Sequence, residues 1–298
     1  MGVKTISVEA TSVSSLGSPS IHGSLTGASC GVDSLSLIRH CLSELGEGDF
    51  SYLIFNNAGS HGSANSQHFF QERAERAFEL AARVGKPIVL VDSNMGDFLT
   101  THYVHCHTLL NGAIAHLFAG IGSRYYYASG GFGLRGIYCP LDGGCIAHTD
   151  AFLLPLISSS QMILSQPEIL KTRFDKIESL VDCKIAQDLL DVCVDHESTD
   201  RQAPNCGKCE KCIRTLLMLE VLGAISHFER RFDIEAFHES RDSFLVKVAN
   251  SPREERRVVI DMLVKNKKSL PAITKFCHHF PGVRIPSKFL IWMAERVT

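Results

Sequence analysis

The stretch Thr26-Gly27-Ala28-Ser29-Cys30-Gly31-Val32-Asp33-Ser34-Leu35 does most to constrain the fold, because it joins an expected strand leading in from residue 21 to an apolar-periodic helix expected over Leu35–Leu45. Small residues between a strand and a helix let backbone N–H groups turn inward as an anion-binding nest, and the helix start adds partial positive charge. Ser29 and Ser34 supply hydroxyl donors, and Asp33 is a suitable ligand for a magnesium ion held against phosphates. No Gly-Lys-Ser/Thr follows at Walker A spacing. A glycine- and serine-rich loop at a helix N-cap, with no ligand at all, accounts for the same ten residues.

The rest of the first half repeats a strand–helix rhythm. Tyr52–Phe55 is a short apolar run opening into the polar stretch Asn56–Gly62, the pattern of a buried parallel strand whose loop lies at its carboxyl end. Helical spacing follows over Gln67–Val84, with Gly85 and Pro87 as stop signals, then a strand over Pro87–Val91 ending at Asp92. An apolar helix is expected over Thr108–Gly120, and a strand over Arg124–Ala128 that enters the glycine-rich run Ser129–Gly133. This alternation predicts an α/β fold with a doubly wound parallel sheet. Right-handed crossovers would bring the loops after each strand to one edge, beside Ser29–Ser34. Beyond Gly136 the pattern is irregular, with helices expected over Gln166–Leu180, Lys184–Asp191 and Ile213–Ala224. The expected organisation is an N-terminal segment 1–20 with one short edge strand around Ile6–Ala10, a main domain 21–225, and a small helical appendage 226–298 that includes Arg253–Lys265.

Cys206-Gly207-Lys208-Cys209-Glu210-Lys211-Cys212 sets three thiols at two-residue gaps, and Cys193 lies upstream across a loop containing Pro204. Four thiolates close a tetrahedral zinc site, and four protein ligands leave no open position, so such an ion would staple the chain. Cys183 is the alternative fourth ligand; an iron–sulfur cluster or metal-free thiols are the alternative occupancies. Lys208 and Lys211 would offset the charge of a zinc tetrathiolate. The chain has 11 cysteines, but its 298 residues, the absence of a basic-then-apolar leader and the clustering of three thiols point to reduced cysteines and a cytoplasmic protein. No apolar run is long enough to span a membrane. Lys plus Arg is 30 against 32 Asp plus Glu, a formal charge of −2, so composition makes no electrostatic case for nucleic acid or an anionic membrane as partner.

The order Ser29-x-Gly31-x-Asp33-Ser34 resembles the PP-loop, Ser-Gly-Gly-x-Asp-Ser, of the N-type ATP pyrophosphatases of the adenine nucleotide alpha hydrolase-like superfamily. Cys30 stands where the motif has its first glycine. An upstream cysteine followed by Cys206-Gly-x-Cys209-x-x-Cys212, then Arg214 and an apolar helix, is similar to the zinc motif of 7-cyano-7-deazaguanine synthases. Asp150–Lys176, with Pro155 and Arg173-x-x-Lys176, looks like the region between the two motifs in uncharacterised relatives of that enzyme. The resemblance covers residues 21–222. It implies a HUP-type sheet, with ATP, Mg2+ and Zn2+ as cofactors. Ser29, Gly31, Asp33 and Ser34 would hold pyrophosphate and magnesium, and Asn57 and Asp92 would line adenine and ribose.

The activity implied is cleavage of ATP to AMP and pyrophosphate, with adenylation of a carbonyl or carboxylate oxygen on a small molecule, a nucleobase-like one among the candidates. A nitrogen or sulfur donor then displaces AMP, giving an amide, nitrile or thioamide. The rival is a nucleotide-binding regulatory module with structural zinc and no turnover. A homo-oligomer stays open. Cys30 and Cys106 are the candidate reactive thiols, the latter between His105 and His107, whose imidazolium forms would lower its pKa if they faced it. A buried, inert thiol explains either equally. Arg173 and Lys176, one helical turn apart, suit a phosphate or carboxylate on the substrate, or simply a solvated helix face. His148 and Asp150 are further candidates for substrate binding, or a polar cap before the next apolar run.

Overall fold

The computed structural model describes residues 23–43, 51–60, 66–98, 101–130, 145–195, 203–249 and 254–279. The expected edge strand at Ile6–Ala10 and the run Gly131–Gly133 lie outside them.

Five parallel strands form one sheet in the order β3-β2-β1-β4-β5: β1 Ser24–Gly27, β2 Tyr52–Asn57, β3 Ile88–Asp92, β4 Arg124–Tyr126 and β5 Ile163–Ser165. The period-two geometry of a strand divides their side chains between two faces. Leu53, Phe55 and Tyr126 enter one apolar core; Leu25, Ile54, Tyr125, Tyr127 and Leu164 enter the other. The first core is covered by α1 (Val32–Ser43) and α2 (Ser66–Val84), the second by α3 (His107–Leu117) and α4 (Asp150–Leu156). From β1 to β3 the chain winds outward with its helices on one face. It then crosses back through α3 to β4 and continues to β5 on the other face, as right-handed crossovers require. The direction reverses between β1 and β4. In open parallel sheets that reversal leaves a crevice at the carboxyl ends of the two strands.

Two elements differ from expectation. The helix anticipated over Gln166–Leu180 is half real: β5 ends at Ser165, turns follow, and α5 runs only Arg173–Leu180. Its start is fixed by a capping box, in which the Thr172 hydroxyl accepts the Asp175 N–H while the Asp175 carboxylate accepts the Thr172 N–H at 2.7 Å. Helix α1 begins at Val32, ahead of the apolar run that announced it.

The segment after α5 comprises α6 (Lys184–Leu189), α7 (Glu210–Leu222), α8 (Ile234–Ala249), α9 (Glu254–Lys265) and α10 (Ala272–His279). Leu216, Leu217 and Leu219 of α7 join Leu245 of α8 and Leu263 of α9 in the same core that covers α1 and α2.

Candidate functional site

The loop after β1 lies at the reversal point. Gly31 accepts the Leu35 N–H at 3.0 Å and is the first residue bound into α1, so the amides of Val32, Asp33 and Ser34 precede the intrahelical hydrogen bonds. The Ser34 hydroxyl is buried with no hydrogen-bond partner. A buried orphan donor beside a helix start suits an anion's oxygen. Added to Gly31, a Cβ would meet only Ser29 Oγ at 3.4 Å and the Asp191 carbonyl at 3.7 Å. The fold itself therefore leaves room for a small side chain at Gly31.

Cys30 has φ +56°, the left-handed region that favours glycine. That backbone need is a physical reason for the glycine of the resembled motif. The Cys30 thiol is turned into the core, donating to the Arg76 carbonyl of α2 at 3.7 Å. Burial, with Asp191 adding to it, pushes its pKa up to about 12, so at neutral pH it is a packed thiol and not a ready nucleophile. The loop is braced from behind: the Cys30 carbonyl accepts the Asp191 N–H at 2.9 Å, and the Asp191 carboxylate pairs with Arg76 at 2.8 Å.

Cations gather in front. Arg173 reaches Asp33 at 2.9 Å and donates to the Gly130 carbonyl at 3.2 Å. Lys176, fully buried, donates to the Ser129 carbonyl at 2.7 Å and to Asp33 at 3.3 Å, with Glu168 at 3.8 Å. An ammonium without solvent needs such partners, and these tie α5 to α1 and to the loop after β4. Arg173 and Lys176 are thus brought together with Asp33, although Lys176 is walled in while Arg173 is half-buried. Lys211, exposed at the start of α7, lies within electrostatic reach of this cluster: Arg173 and Arg73 push its pKa down and Asp33 opposes them. Its place here follows from the chain's path around the cysteine cluster, which no spacing rule announces.

Asn57 and Asp92 occupy paired positions at the carboxyl ends of β2 and β3, where the Asn57 amide donates to Asp92 at 3.0 Å. Gln67 donates to the other oxygen of Asp92 at 3.0 Å. Asp150 is buried at the start of α4 and accepts the Thr108 hydroxyl at 2.7 Å. Burial pushes its pKa up to about 7, opposed by Thr108 and Lys176 and reinforced by Asp33, so it lies within electrostatic reach of the loop. His148 sits half-buried in the single turn of 3-10 helix before it.

The Cys106 thiol meets neither flanking imidazole. It is buried against the carbonyls of His102 and Tyr103, at 3.7 and 3.6 Å, and burial raises its pKa. Sequence neighbours at a helix start point in different directions, and the thiol that approaches His107 is Cys145, at 3.8 Å, a residue no motif singled out.

The four cysteines Cys193, Cys206, Cys209 and Cys212 converge, with all four sulfurs within 4.8 Å of one another. Cys183 stands apart from them at the N-cap of α6. Tetrahedral Zn–S bonds of about 2.3 Å put sulfurs about 3.8 Å apart, and Cys206 and Cys212 Sγ lie 4.0 Å apart. The group is therefore close enough to hold a metal ion such as zinc. Thiol hydrogen bonds from Cys193 and Cys212 draw the Cys209 thiol below the ordinary range. Gly207 has φ +67°, and a Cβ there would lie 2.0 Å from the Asp233 carbonyl, so only glycine makes this turn. Asn205 holds the Cys193 segment against the knuckle: its carbonyl accepts the N–H groups of Val192 and Cys193, and its amide donates to Leu190 and Arg231.

Among the described residues no helix is long and apolar enough to cross a membrane. No family model, curated protein or solved structure matches this chain.

Proposed function

We propose that this chain is an ATP-dependent adenylating enzyme of the PP-loop type, which cleaves ATP to AMP and pyrophosphate and activates a carbonyl or carboxylate oxygen of a small molecule for displacement by nitrogen or sulfur. The observation that carries the reading is the loop at the sheet's reversal point: an unpartnered, buried Ser34 hydroxyl at a helix start, faced by Arg173 and Lys176 through Asp33. Donors and cations at one crevice suit a polyanion. Ser29, Ser34 and the first amides of α1 would hold the departing pyrophosphate, and Arg173 and Lys211 would neutralise charge as it develops. Asp33 would hold Mg2+, which would neutralise phosphate charge. Asn57 and Asp92 would line the nucleoside. The cysteine group would carry structural Zn2+, fixing Lys211 beside the loop.

The test is the nucleotide product. A loop that holds the β- and γ-phosphates as a leaving unit makes the α-phosphorus the electrophile, so MgATP with candidate carboxylic acids should yield AMP and pyrophosphate. ADP as the product, or tight ATP binding with no AMP under any condition, would overturn the assignment.

A further inference from the structure

Next to the loop, five side chains form a chain of contacts that the adenylating reading leaves unused. Thr108 lies 2.7 Å from Asp150, 3.3 Å from the Tyr127 hydroxyl; Tyr127 lies 2.9 Å from His107 Nδ1; Cys145 Sγ lies 3.8 Å from His107 Nε2. With Asp150 ionised, one set of directions links all five, although Thr108 also lies 3.4 Å from His107 Nδ1. Ionised Asp150 accepts from Thr108; the Thr108 oxygen can then accept from Tyr127, and the Tyr127 oxygen from the Nδ1–H tautomer of His107. This leaves Nε2 bare and facing the Cys145 thiol. Burial and the charge of Lys211 hold His107 down at about 4, so the ring is neutral and able to accept at pH 7. The second oxygen of Asp150 is buried without a partner, so few donors hold the carboxylate charged. Cys145 itself is half-buried, unlike Cys30 and Cys106.

We propose that Cys145 is the nucleophile of this chain, deprotonated through the relay His107–Tyr127–Thr108–Asp150, and that it accepts the acyl carbon of an activated carboxylate as a thioester. The acyl part rests on the adenylating reading above; the thiol's reactivity does not. Tyr127 connects the two sites, because the loop it opens offers the Ser129 and Gly130 carbonyls to Lys176 and Arg173. In the step, Nε2 takes the thiol proton, the Nδ1 proton passes to Tyr127, that of Tyr127 to Thr108, and that of Thr108 to Asp150. Sulfur forms a bond to the carbonyl carbon, and the bond from that carbon to the AMP oxygen breaks, with AMP taking the electron pair. A nitrogen nucleophile then breaks the C–S bond, releasing its own proton to solvent, and the thiolate recovers a proton from Asp150 by the reverse path.

The full chain is treated separately with iodoacetamide and with p-nitrophenyl acetate, an activated acyl donor, and each cysteine is followed by peptide mass. Cys145 should be alkylated at least about tenfold faster than the half-buried Cys183, and should gain a hydroxylamine-labile acetyl group. Tyr127→Phe and Thr108→Val should each slow Cys145 while leaving Cys183 unchanged. Equal rates at the two thiols, no acetyl on Cys145, or indifference to both substitutions would overturn the assignment. An inert Cys145 in protein that forms AMP removes the nucleophile alone; a reactive Cys145 in protein that forms no AMP supports the nucleophile and removes the adenylating reading.

Discussion

Cys30 and Asp33 show how one residue can serve both the backbone and the site. Cys30→Gly removes a left-handed side-chain cost of about 1 kcal/mol and loses a small buried group of similar worth. Its urea midpoint should therefore move little, and AMP formation should persist; loss of AMP with an intact fold would make the thiol chemical. Asp33→Asn should abolish AMP formation and also cost about 2 kcal/mol, because buried Lys176 loses a charged partner. A variant as stable as the parent would mean that Lys176 is satisfied by Ser129 and Glu168 alone. Asp150 carries a pH signature. Its folded pKa, near 7, is above the ordinary 3.8, so the native state holds the proton more tightly. Its contribution is fully present below about pH 4 and is lost as pH rises to about 7, on the order of a few kcal/mol. His107, held near 4, works in the opposite sense, gaining stability over an overlapping window. Asp150→Asn should therefore remove only the falling component, seen as a wild-type-minus-variant difference in urea stability that shrinks between about pH 4 and 7. A difference independent of pH would refute the buried-acid assignment.

At the scale of elements, α5 deserves its own test because it delivers Arg173 and Lys176 together. Thr172→Ala removes the hydroxyl of its capping box and should cost about 1 kcal/mol. Binding of ATP should weaken as well, since the first turn holds Arg173; unchanged binding would place the phosphate elsewhere. The signal for this start is in the sequence, Thr172-x-x-Asp175, but the apolar spacing on either side pulls the expected helix back to Gln166. Strand β5 was not legible at all: three residues, Ile163–Ser165, carry too little periodicity to separate a strand from a loop, and only pairing with β4 makes them one. By contrast β2 and β3 are longer apolar runs with clear stops, and both were readable. The cysteine ligands follow the same division. Cys206, Cys209 and Cys212 are set by local spacing, whereas the choice of Cys193 over Cys183 is made by Asn205, which fastens the Cys193 backbone across a gap in sequence.

In the whole molecule, the doubly wound sheet was readable from its strand–helix rhythm, and with it the place of the Ser29–Ser34 loop. The Cys145–His107 contact and the position of Lys211 were not, because they depend on how distant segments cross. Phe237, Leu245 and Leu263 share a core with α1 and α2, another contact between distant segments that spacing does not announce. Cys193, Cys206 and Cys212 are themselves members of the core that covers α1 and α2, and α7 follows directly from the knuckle. Metal bound there is folding free energy, on the order of 10 kcal/mol for structural zinc sites, comparable to a domain's entire stability. Stripping the metal with a chelator, or Cys209→Ser, should therefore do more than loosen a surface staple. Hydrogen exchange should show α7, α8 and α9 losing protection together with α1, whereas α3 and α4, on the opposite face of the sheet, should lose it later or less. Lys211 would leave the loop in the same event, so ATP binding should fall with metal content. Persistent protection of α7–α9 in metal-free protein would show that the core stands without the ion.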